Sequence, residues 1–389
     1  GKITRNRVEA SGANGGYCGG GVYCDGTFVM HGGEISENTV HSEGTGNSDQ
    51  ARGGGVYLDK NAKFTMYGGK ITKNIASTTQ RGKDAYGGGL YTVSDKSVKI
   101  LGGEISGNEA NVASANTNTW GGGLYVGGST AVTIENAVIR GNKANAGSSN
   151  GKGGGIFVLG TLNLGGNTLI TENQASSYGG GIGMEDDATI SVSGNVNITG
   201  NEFFNKSSGR WMDNLHWETK SPAITVTGPL DEDARIGVYY NPLYTGETKN
   251  IAVTENADWL AKQNFVSDYA KTIVQLSEDG KIVQLADHEH QPDEETGKCS
   301  CGETFVAKLE PLVGSASYTK DFAGAMSNAQ GKTKITLLTD VDNSGKYATL
   351  TGDDTTVTLD LNDHTINGGW ITLGDDVLQY FTSSALKIT

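Results

Sequence analysis

Four side chains that commonly bind metal ions lie close together in the second half of the sequence. They are His288, His290, Cys299 and Cys301, in the stretch HEHQPDEETGKCSCGE. Two imidazoles and two thiolates suit tetrahedral zinc, and four protein ligands leave no open position for water, so we expect a structural zinc. The HxH and CxC spacings differ from the usual CxxC knuckle. The alternative is therefore a linker in which these residues are unliganded or oxidised.

Two carboxylates form the second group of interest. Asp25 and Asp59 each stand two residues after a tyrosine, Tyr23 and Tyr57, at equivalent places in a repeat. If those places are one turn apart in a stacked fold, the carboxylates are separated by roughly 5 Å, near the spacing of retaining glycosidases. They are candidate catalytic residues on that reading. Stacked carboxylates at strand ends give the same pattern without catalysis.

Aromatic residues form the third group. After successive glycine triplets come Tyr23, Tyr57, Tyr91, Tyr125 and Phe157, and before the triplets, or near them, come Tyr17, Tyr86, Trp120 and Tyr178. Aromatic faces along a groove would hold sugar rings, and the candidate ligand-binding residues are Tyr57, Tyr91, Trp120 and Tyr125. The alternative is a stacked ladder that only stabilises neighbouring turns.

An internal repeat positions these residues. Glycine triplets begin at Gly19, Gly53, Gly87, Gly121, Gly153 and Gly179, at intervals of 34, 34, 34, 32 and 26 residues. Each triplet is followed by a strand that begins with an aliphatic residue, which an aromatic residue follows in five of the six repeats. A strand with two alternating apolar residues and an Ile-x-x-Asn strand come next. A repeat of this period without a helical pattern predicts a solenoid.

Short strands of this kind must stack on the next turn to pair their backbone groups, at about 4.8 Å per turn. The sequence therefore predicts an all-β fold, a right-handed parallel β-helix with three strands per turn. We expect the recurring asparagines to occupy a left-handed corner and to stack as a ladder. They are Asn38, Asn74, Asn108, Asn142 and Asn173. The glycines are expected to supply positive φ at tight corners.

The repeat resembles the right-handed β-helix passengers of polymorphic outer-membrane proteins and autotransporter adhesins, which pair an FxxN element with a GGA[IVL] element. Here the corresponding elements are IxxN and GGG[VLI], over about residues 1–201. The phrases ITVTGPLDEDARIGV and HxH…CxCG are similar to segments of clostridial and other gut Firmicutes surface proteins. The resemblance implies an extracellular location on the surface of a Gram-positive bacterium and a pectate-lyase-like solenoid.

Four segments are expected along the chain. Residues 1–201 form the β-helix, 202–287 form its cap and a small β-rich region, 288–305 form the zinc module, and 306–389 form the helix-capped start of a second β-helix. In the cap, Trp211 and Trp217 are interpreted as covering the last turn, with a ligand pocket as the alternative. The first and last residues match the middle of strand patterns, so we expect an excerpt of a longer protein.

Composition excludes some partners. The formal net charge is −14, and the 30 lysines and arginines are scattered singly, so nucleic acid is not expected as a partner. The sequence has no run of about 18 apolar residues, so we expect no direct membrane insertion in this segment.

Two classes of function fit the pattern. The first is a secreted or cell-surface adhesin or stalk whose variable segments, which all leave between the Asn and the next glycine triplet, bind glycans or host proteins. The second is a carbohydrate-active enzyme, either a glycoside hydrolase or a polysaccharide lyase, or a carbohydrate-binding subunit of such an enzyme. The fold alone does not separate these classes, because β-helices serve all of them.

Overall fold

The computed structural model describes most of the chain as two compact units, Gly1–Asp287 and His288–Thr389. Strands make up 55% of the structure and helices 4%. The described residues are 1–10, 17–44, 49–79, 83–112, 117–146, 150–185, 187–205, 209–217, 223–239, 248–269, 272–287, 291–299, 304–329, 331–344, 347–350, 356–368, 370–373 and 385–388.

The first unit is a parallel β-solenoid of about six turns, as expected of a right-handed parallel β-helix. Its regular turns contain five strand segments, which build five sheets along the solenoid. We number the sheets I to V in the order in which the chain enters them after a glycine triplet. Sheets I, II and III contain the three strands predicted for each turn, and sheets IV and V are two further sheets that were not predicted.

The three predicted strands recur along the whole first unit. Sheet I contains Val22–Cys24, Val56–Leu58, Leu90–Thr92, Leu124–Val126, Ile156–Val158, Ile182–Met184 and Leu215–His216. Sheet II contains Thr27–Met30, Lys63–Met66, Val98–Ile100, Ala131–Glu135, Thr161–Gly165, Thr189–Gly194, Ile224–Leu230, Thr248–Thr254, Ile282–Asp287 and Thr272–Leu276. Sheet III contains Lys2–Thr4, Glu34–Ser36, Lys70–Thr72, Gly103–Ser106, Ala137–Arg140, Thr168–Thr171, Val196–Ile198, Arg235–Val238 and Phe265–Ser267.

The two further sheets lie on either side of the variable segments. Sheet IV contains Arg7–Ala10, Thr39–Ser42, Ile75–Thr78, Glu109–Val112, Lys143–Ala146, Gln174–Ala175, Glu202–Asn205 and Gly209–Met212. Sheet V contains Tyr17–Cys18, Ala51–Arg52, Ala85–Tyr86, Asn118–Trp120 and Asn150–Lys152. The described residues that flank each variable segment belong to these two sheets, so the segments begin and end at one corner of the solenoid, as predicted.

The core has two layers. Sheets I, II and III enclose the main layer, in which Leu90, Ile100 and Ile105 are representative fully buried side chains. Sheets IV and V meet through small side chains such as Ala76 and Ala85. Because alanine and threonine give a weak apolar signal, the second layer was not recognisable as strand from its sequence pattern.

The predicted asparagine ladder is present and is longer than predicted. Asn108 donates from Nδ2 to Asn142 Oδ1 (2.9 Å) and to the Ile71 carbonyl oxygen (2.9 Å). Its own Oδ1 accepts from both the side chain and the backbone N–H of Asn74 (3.0 Å each). The same pattern extends to Asn6 at one end and to Asn201 and Asn214 at the other. Every amide hydrogen-bonding group of Asn108 therefore has a partner inside the solenoid.

One expectation about this corner was wrong. The left-handed residue is the one before each asparagine, as at Glu37 (φ 56°) and Lys73 (φ 55°), and the asparagines themselves do not have positive φ. The asparagine is selected for its amide, which must point inward to reach both neighbouring turns.

The glycine triplets combine two constraints. In Gly87–Gly89, only Gly87 has positive φ (57°). A Cβ at Gly88 would lie 2.4 Å from the Glu109 carbonyl and 2.5 Å from the Gly122 carbonyl oxygen. Positive φ accounts for the first glycine, as predicted, and the close approach of neighbouring backbones accounts for the second.

Parallel stacking continues beyond Asn201. Arg235–Val238 and Phe265–Ser267 extend sheet III. Sheet II then ends in antiparallel pairing, because Ile282–Asp287 pairs with strands on both of its sides in that orientation. Trp217 is buried (1% exposed) in the main core, and two short 3₁₀ helices, Ala257–Trp259 and Lys262–Asn264, lie in the same region.

The second unit contains the predicted helix, Phe322–Asn328, which follows two short strands. Its apolar face, formed by Phe322, Ala325 and Met326, is buried together with Ala329 just after the helix. The strands are Ala307–Pro311, Ser317–Thr319, Lys332–Leu337, Val341–Asp342, Tyr347–Leu350, Thr356–Asp360, Ile366–Asn367, Trp370–Leu373 and Ala385–Ile388. Three sets of them pair in parallel between successive turns, as at the start of a second β-helix. No helix in the described residues is both long and apolar enough to cross a membrane.

Candidate functional site

Two columns of large side chains meet at the glycine corner. We call this cluster the aromatic corner. Sheet I contributes Tyr57, Tyr91, Tyr125 and Phe157, and sheet V contributes Arg52, Tyr86 and Trp120. The columns can approach because the triplet between them has no side chains. The predicted aromatic column therefore lies on the outer face of sheet I but is covered by the side chains of sheet V.

The four predicted ligand-binding residues, Tyr57, Tyr91, Trp120 and Tyr125, are packed into this corner. The Tyr91 ring is stacked between Tyr57 (centroids 5.1 Å apart) and Tyr125 (4.7 Å). Trp120 stacks on Phe157 at 5.2 Å. The three tyrosines are buried and Trp120 is half-buried. The expectation of open aromatic faces along a groove is thus replaced by a ladder whose faces are occupied by neighbouring rings.

Burial also changes the acidity of these phenols. Loss of solvent raises the pKa of Tyr57, Tyr86 and Tyr125 well above the usual value for a tyrosine. At Tyr86 the neighbouring Asp84 carboxylate, which accepts a hydrogen bond from the phenol at 2.9 Å, raises the pKa further. These hydroxyl groups are therefore held in their neutral form, and that of Tyr86 donates to Asp84.

The two candidate catalytic carboxylates serve as hydrogen-bond acceptors at the corner between sheets I and II. Asp25 accepts from the side chain of Asn61 at 3.0 Å. Asp59 accepts from the Tyr23 hydroxyl and from the Lys60 backbone N–H. The bond to Asp59 raises the pKa of Tyr23 to about 12. The Asn61–Asp25 and Tyr23–Asp59 contacts join one turn to the next, which is a structural role for the two carboxylates.

A cluster of ionisable residues closes the far end of the aromatic corner. The His216 ring lies between Tyr178 (centroids 4.8 Å apart) and Tyr239 (5.0 Å). His216 Nδ1 is 3.1 Å from the buried Asp213 carboxylate. An imidazole held by a carboxylate is an acid–base arrangement. Both faces of this ring are covered by tyrosines, so its contacts are those of a packed cluster.

A second carboxylate lies beside this cluster. Asp268 accepts hydrogen bonds from the backbone and the side chain of Asn214, both at 2.7 Å, and so receives the last amide of the asparagine ladder. Burial raises the pKa of Asp268 to about 7. Sequence pattern did not identify this residue, because it follows Asn214 by 54 residues and lies outside the Ile-x-x-Asn phase.

An exposed aromatic surface is found on the hairpin that ends sheet IV. Glu202–Asn205 pairs in antiparallel orientation with Gly209–Met212, which places Phe203 opposite Trp211. These two rings stack at 5.3 Å, and Trp211 remains 44% exposed. Arg210 lies over the Phe204 ring and forms an ion pair with Glu202 at 2.9 Å. We call Phe203, Phe204, Arg210, Trp211 and Glu202 the Trp211 hairpin.

The predicted zinc ligands are mostly outside the described part of the chain. His288, His290 and Cys301 are not among the described residues. Cys299 is described and is buried beside Phe305 and Leu338. The described residues contain no group of three or more potential metal ligands. The zinc site therefore stays a prediction.

No protein-family model, curated protein or solved structure matches this chain.

Proposed function

We propose that this chain is a secreted or cell-surface β-helix protein of the adhesin or stalk type, which binds glycans through the loop side of its solenoid. The observation that supports this proposal is the Trp211 hairpin. It presents an exposed indole face, and it lies at the edge of sheet IV, next to the corner where the variable segments leave.

The chemistry of the hairpin favours a sugar. One face of Trp211 is fixed by Phe203, so the other is held in place without further loss of side-chain freedom. Sugar rings present C–H groups to such a face. Arg210 and Glu202 lie on the other face of the hairpin, where their ion pair (2.9 Å) joins the two strands.

The remainder of the solenoid suits a display scaffold. In the regular turns the amides of the asparagine ladder hydrogen-bond to one another, and the rings of the aromatic corner pack against one another. This leaves the loop side as the variable surface, which is where repeat proteins commonly bind their partners. A host surface protein is the other partner class that such a surface would serve.

A glycan array with the full chain tests the proposal. We expect Trp211→Ala to weaken binding by roughly tenfold or more, because stacked aromatic residues at binding sites contribute about 2 kcal/mol or more. Tyr67→Ala is the matched control, since Tyr67 is also exposed (54%, against 44% for Trp211) but lies on another face, stacked on His31.

Three results would contradict this assignment. They are wild-type binding by the Trp211 variant, equal loss in the Tyr67 variant, and no binding to any glycan on the array. Products analysed in the same samples test the enzyme alternative, since shortened glycans would indicate a glycoside hydrolase or polysaccharide lyase.

A further inference from the structure

A serine, a histidine and a glutamate lie close together on the strands of sheet IV that come first in the chain. Ser77 Oγ lies 2.8 Å from His41 Nδ1, and Glu43 Oε1 lies 3.5 Å from His41 Nε2. Ser77 and His41 are paired in the register of neighbouring parallel strands. The alternate residues Val40 and Ala76 are buried, so the His41 and Ser77 side chains point outward.

We propose that Ser77, His41 and Glu43 form a hydrolytic site for esters of short carboxylic acids. The arrangement contains the parts of an activated nucleophile: a hydroxyl, a base in hydrogen-bond contact with it, and a third group that orients the base. The Glu43 carboxylate, 3.5 Å from His41 Nε2, favours the tautomer with its proton on Nε2, which leaves the lone pair on Nδ1, facing Ser77. The His41 side chain is only 16% exposed, so its ring is held in position.

Neighbouring side chains in the same outward column complete the site. Asn111 pairs in register with Ser77 on the side opposite His41, one strand spacing or about 4.8 Å away. Its amide N–H groups are donors suited to an oxyanion that forms next to Ser77. Glu9, which is ion-paired with Arg7, adjoins His41 on its other side.

The reaction follows two balanced steps. His41 Nδ1 takes the hydroxyl proton of Ser77 while Oγ bonds to the acyl carbon of the ester. The bond from that carbon to the alcohol oxygen then breaks, and the alcohol leaves with the proton from His41. Water next gives a proton to His41 and attacks the acyl-Ser77. The carboxylic acid departs, and the proton returns to Ser77.

The surface around Ser77 indicates the size of the acyl group. Thr39, Ile75 and Asn111 share this outer sheet face with Ser77 and His41. A sheet face of this kind gives little depth to bury a long acyl chain, so acetyl esters are the fitting class. This site lies several strands away from the Trp211 hairpin in sheet IV and does not depend on glycan binding.

Hydrolysis of p-nitrophenyl acetate by the full chain tests the proposal. We expect Ser77→Ala to lower the rate by about 100-fold. Ser106→Ala is the matched control, because the Ser106 hydroxyl also contacts a cross-strand hydroxyl, that of Thr72 at 3.2 Å, but no histidine. A fluorophosphonate probe followed by peptide mass spectrometry is expected to give an adduct on Ser77.

Three outcomes would overturn the proposal. One is a Ser77→Ala rate equal to that of the wild type. Another is hydrolysis that is lost in His41→Gln but kept in Ser77→Ala, since His41 would then be the nucleophile. The third is a probe adduct on any other residue. The labelling result uses the unmodified chain, so it decides the question even if a variant fails to fold.

Discussion

Asp268 ends a ladder that otherwise consists of asparagine. An amide both donates and accepts, so asparagines can stack without limit, whereas a carboxylate only accepts. Asn214 donates two hydrogen bonds to Asp268. The Asp268 carboxylate is also half-buried. Burial is the dominant effect, and it raises the pKa of Asp268 to about 7. The folded protein therefore holds this proton more tightly than the unfolded chain, in which an aspartate has a pKa of about 3.9.

This difference predicts that stability falls as pH rises from about 4 to 7. The contribution of Asp268 is fully present below the unfolded pKa and is lost as pH rises through the folded pKa, at roughly 1.4 kcal/mol per pH unit. Asp268→Asn, which continues the ladder with an amide, is expected to remove this decline and to stabilise the protein above pH 7. Urea unfolding at pH 5 and pH 8 measures the effect.

Asp279→Asn is the control for this measurement. Asp279 is an exposed turn carboxylate whose pKa is lowered by the hydrogen bond from Ser277. Its substitution should leave the decline between pH 5 and pH 8 in place. Equal pH dependence in the wild type and in Asp268→Asn would show that Asp268 does not bind the proton preferentially in the folded state.

At the level of single residues, the sequence predicted the residues that recur in every turn and missed those that occur only once. Asn108 was identifiable because the same residue recurs in every turn, and each copy has the same partners. His41 and Ser77 both stand three residues after a ladder asparagine, so their proximity could have been found by aligning the turns. Asp268 has no counterpart in the repeat, and its position depends on the path of the chain after Asn214.

Among the structural elements, the glycine corner places the strictest limit on which residues the sequence can contain. The second glycine of each triplet has ordinary φ, so its identity is set by contact with the neighbouring turn. Gly88→Ala is expected to destabilise the protein by roughly 1–3 kcal/mol or more, because backbone atoms as close as 2.4 Å must move apart. Thermal or urea unfolding measures the change.

Gly128→Ala is the matched control for the glycine corner. Its Cβ would meet nothing within 4 Å, and its φ is not positive. We expect this change to be neutral or slightly stabilising. If both variants unfold at the same urea concentration, close backbone contact is not the reason for the second glycine.

Strands could be predicted from the sequence where the side chains that point into the core are large. Leu90 and Ile100 gave clear alternation, and their strands were predicted. The strands of sheets IV and V bury residues such as Ala76 and Ala85, which do not stand out from loop sequence. For the same reason the aromatic column was expected to be open. Without sheet V, nothing in the pattern indicated that Arg52 and Trp120 cover it.

For the whole molecule, the division into two units falls between Asp287 and His288, where the predicted zinc module begins. The described part of this module contains few apolar residues, among them the buried Cys299 and Phe305. A segment with so little core is expected to need a metal to be ordered. We therefore maintain the proposal that His288, His290, Cys299 and Cys301 bind one structural zinc ion.

Elemental analysis of protein purified without chelator, under reducing conditions, tests this proposal. We expect one equivalent of zinc in the wild type and a large loss in Cys299→Ser. The matched control is Cys24→Ser, because Cys24 is a half-buried thiol packed against the solenoid core and should leave the zinc content unchanged. The affinity for zinc should fall as pH is lowered, because the cysteine thiols must lose their protons to bind the metal. Less than about half an equivalent of zinc in the wild type, or equal loss in both variants, would remove the claim, because a closed structural site retains its metal through purification.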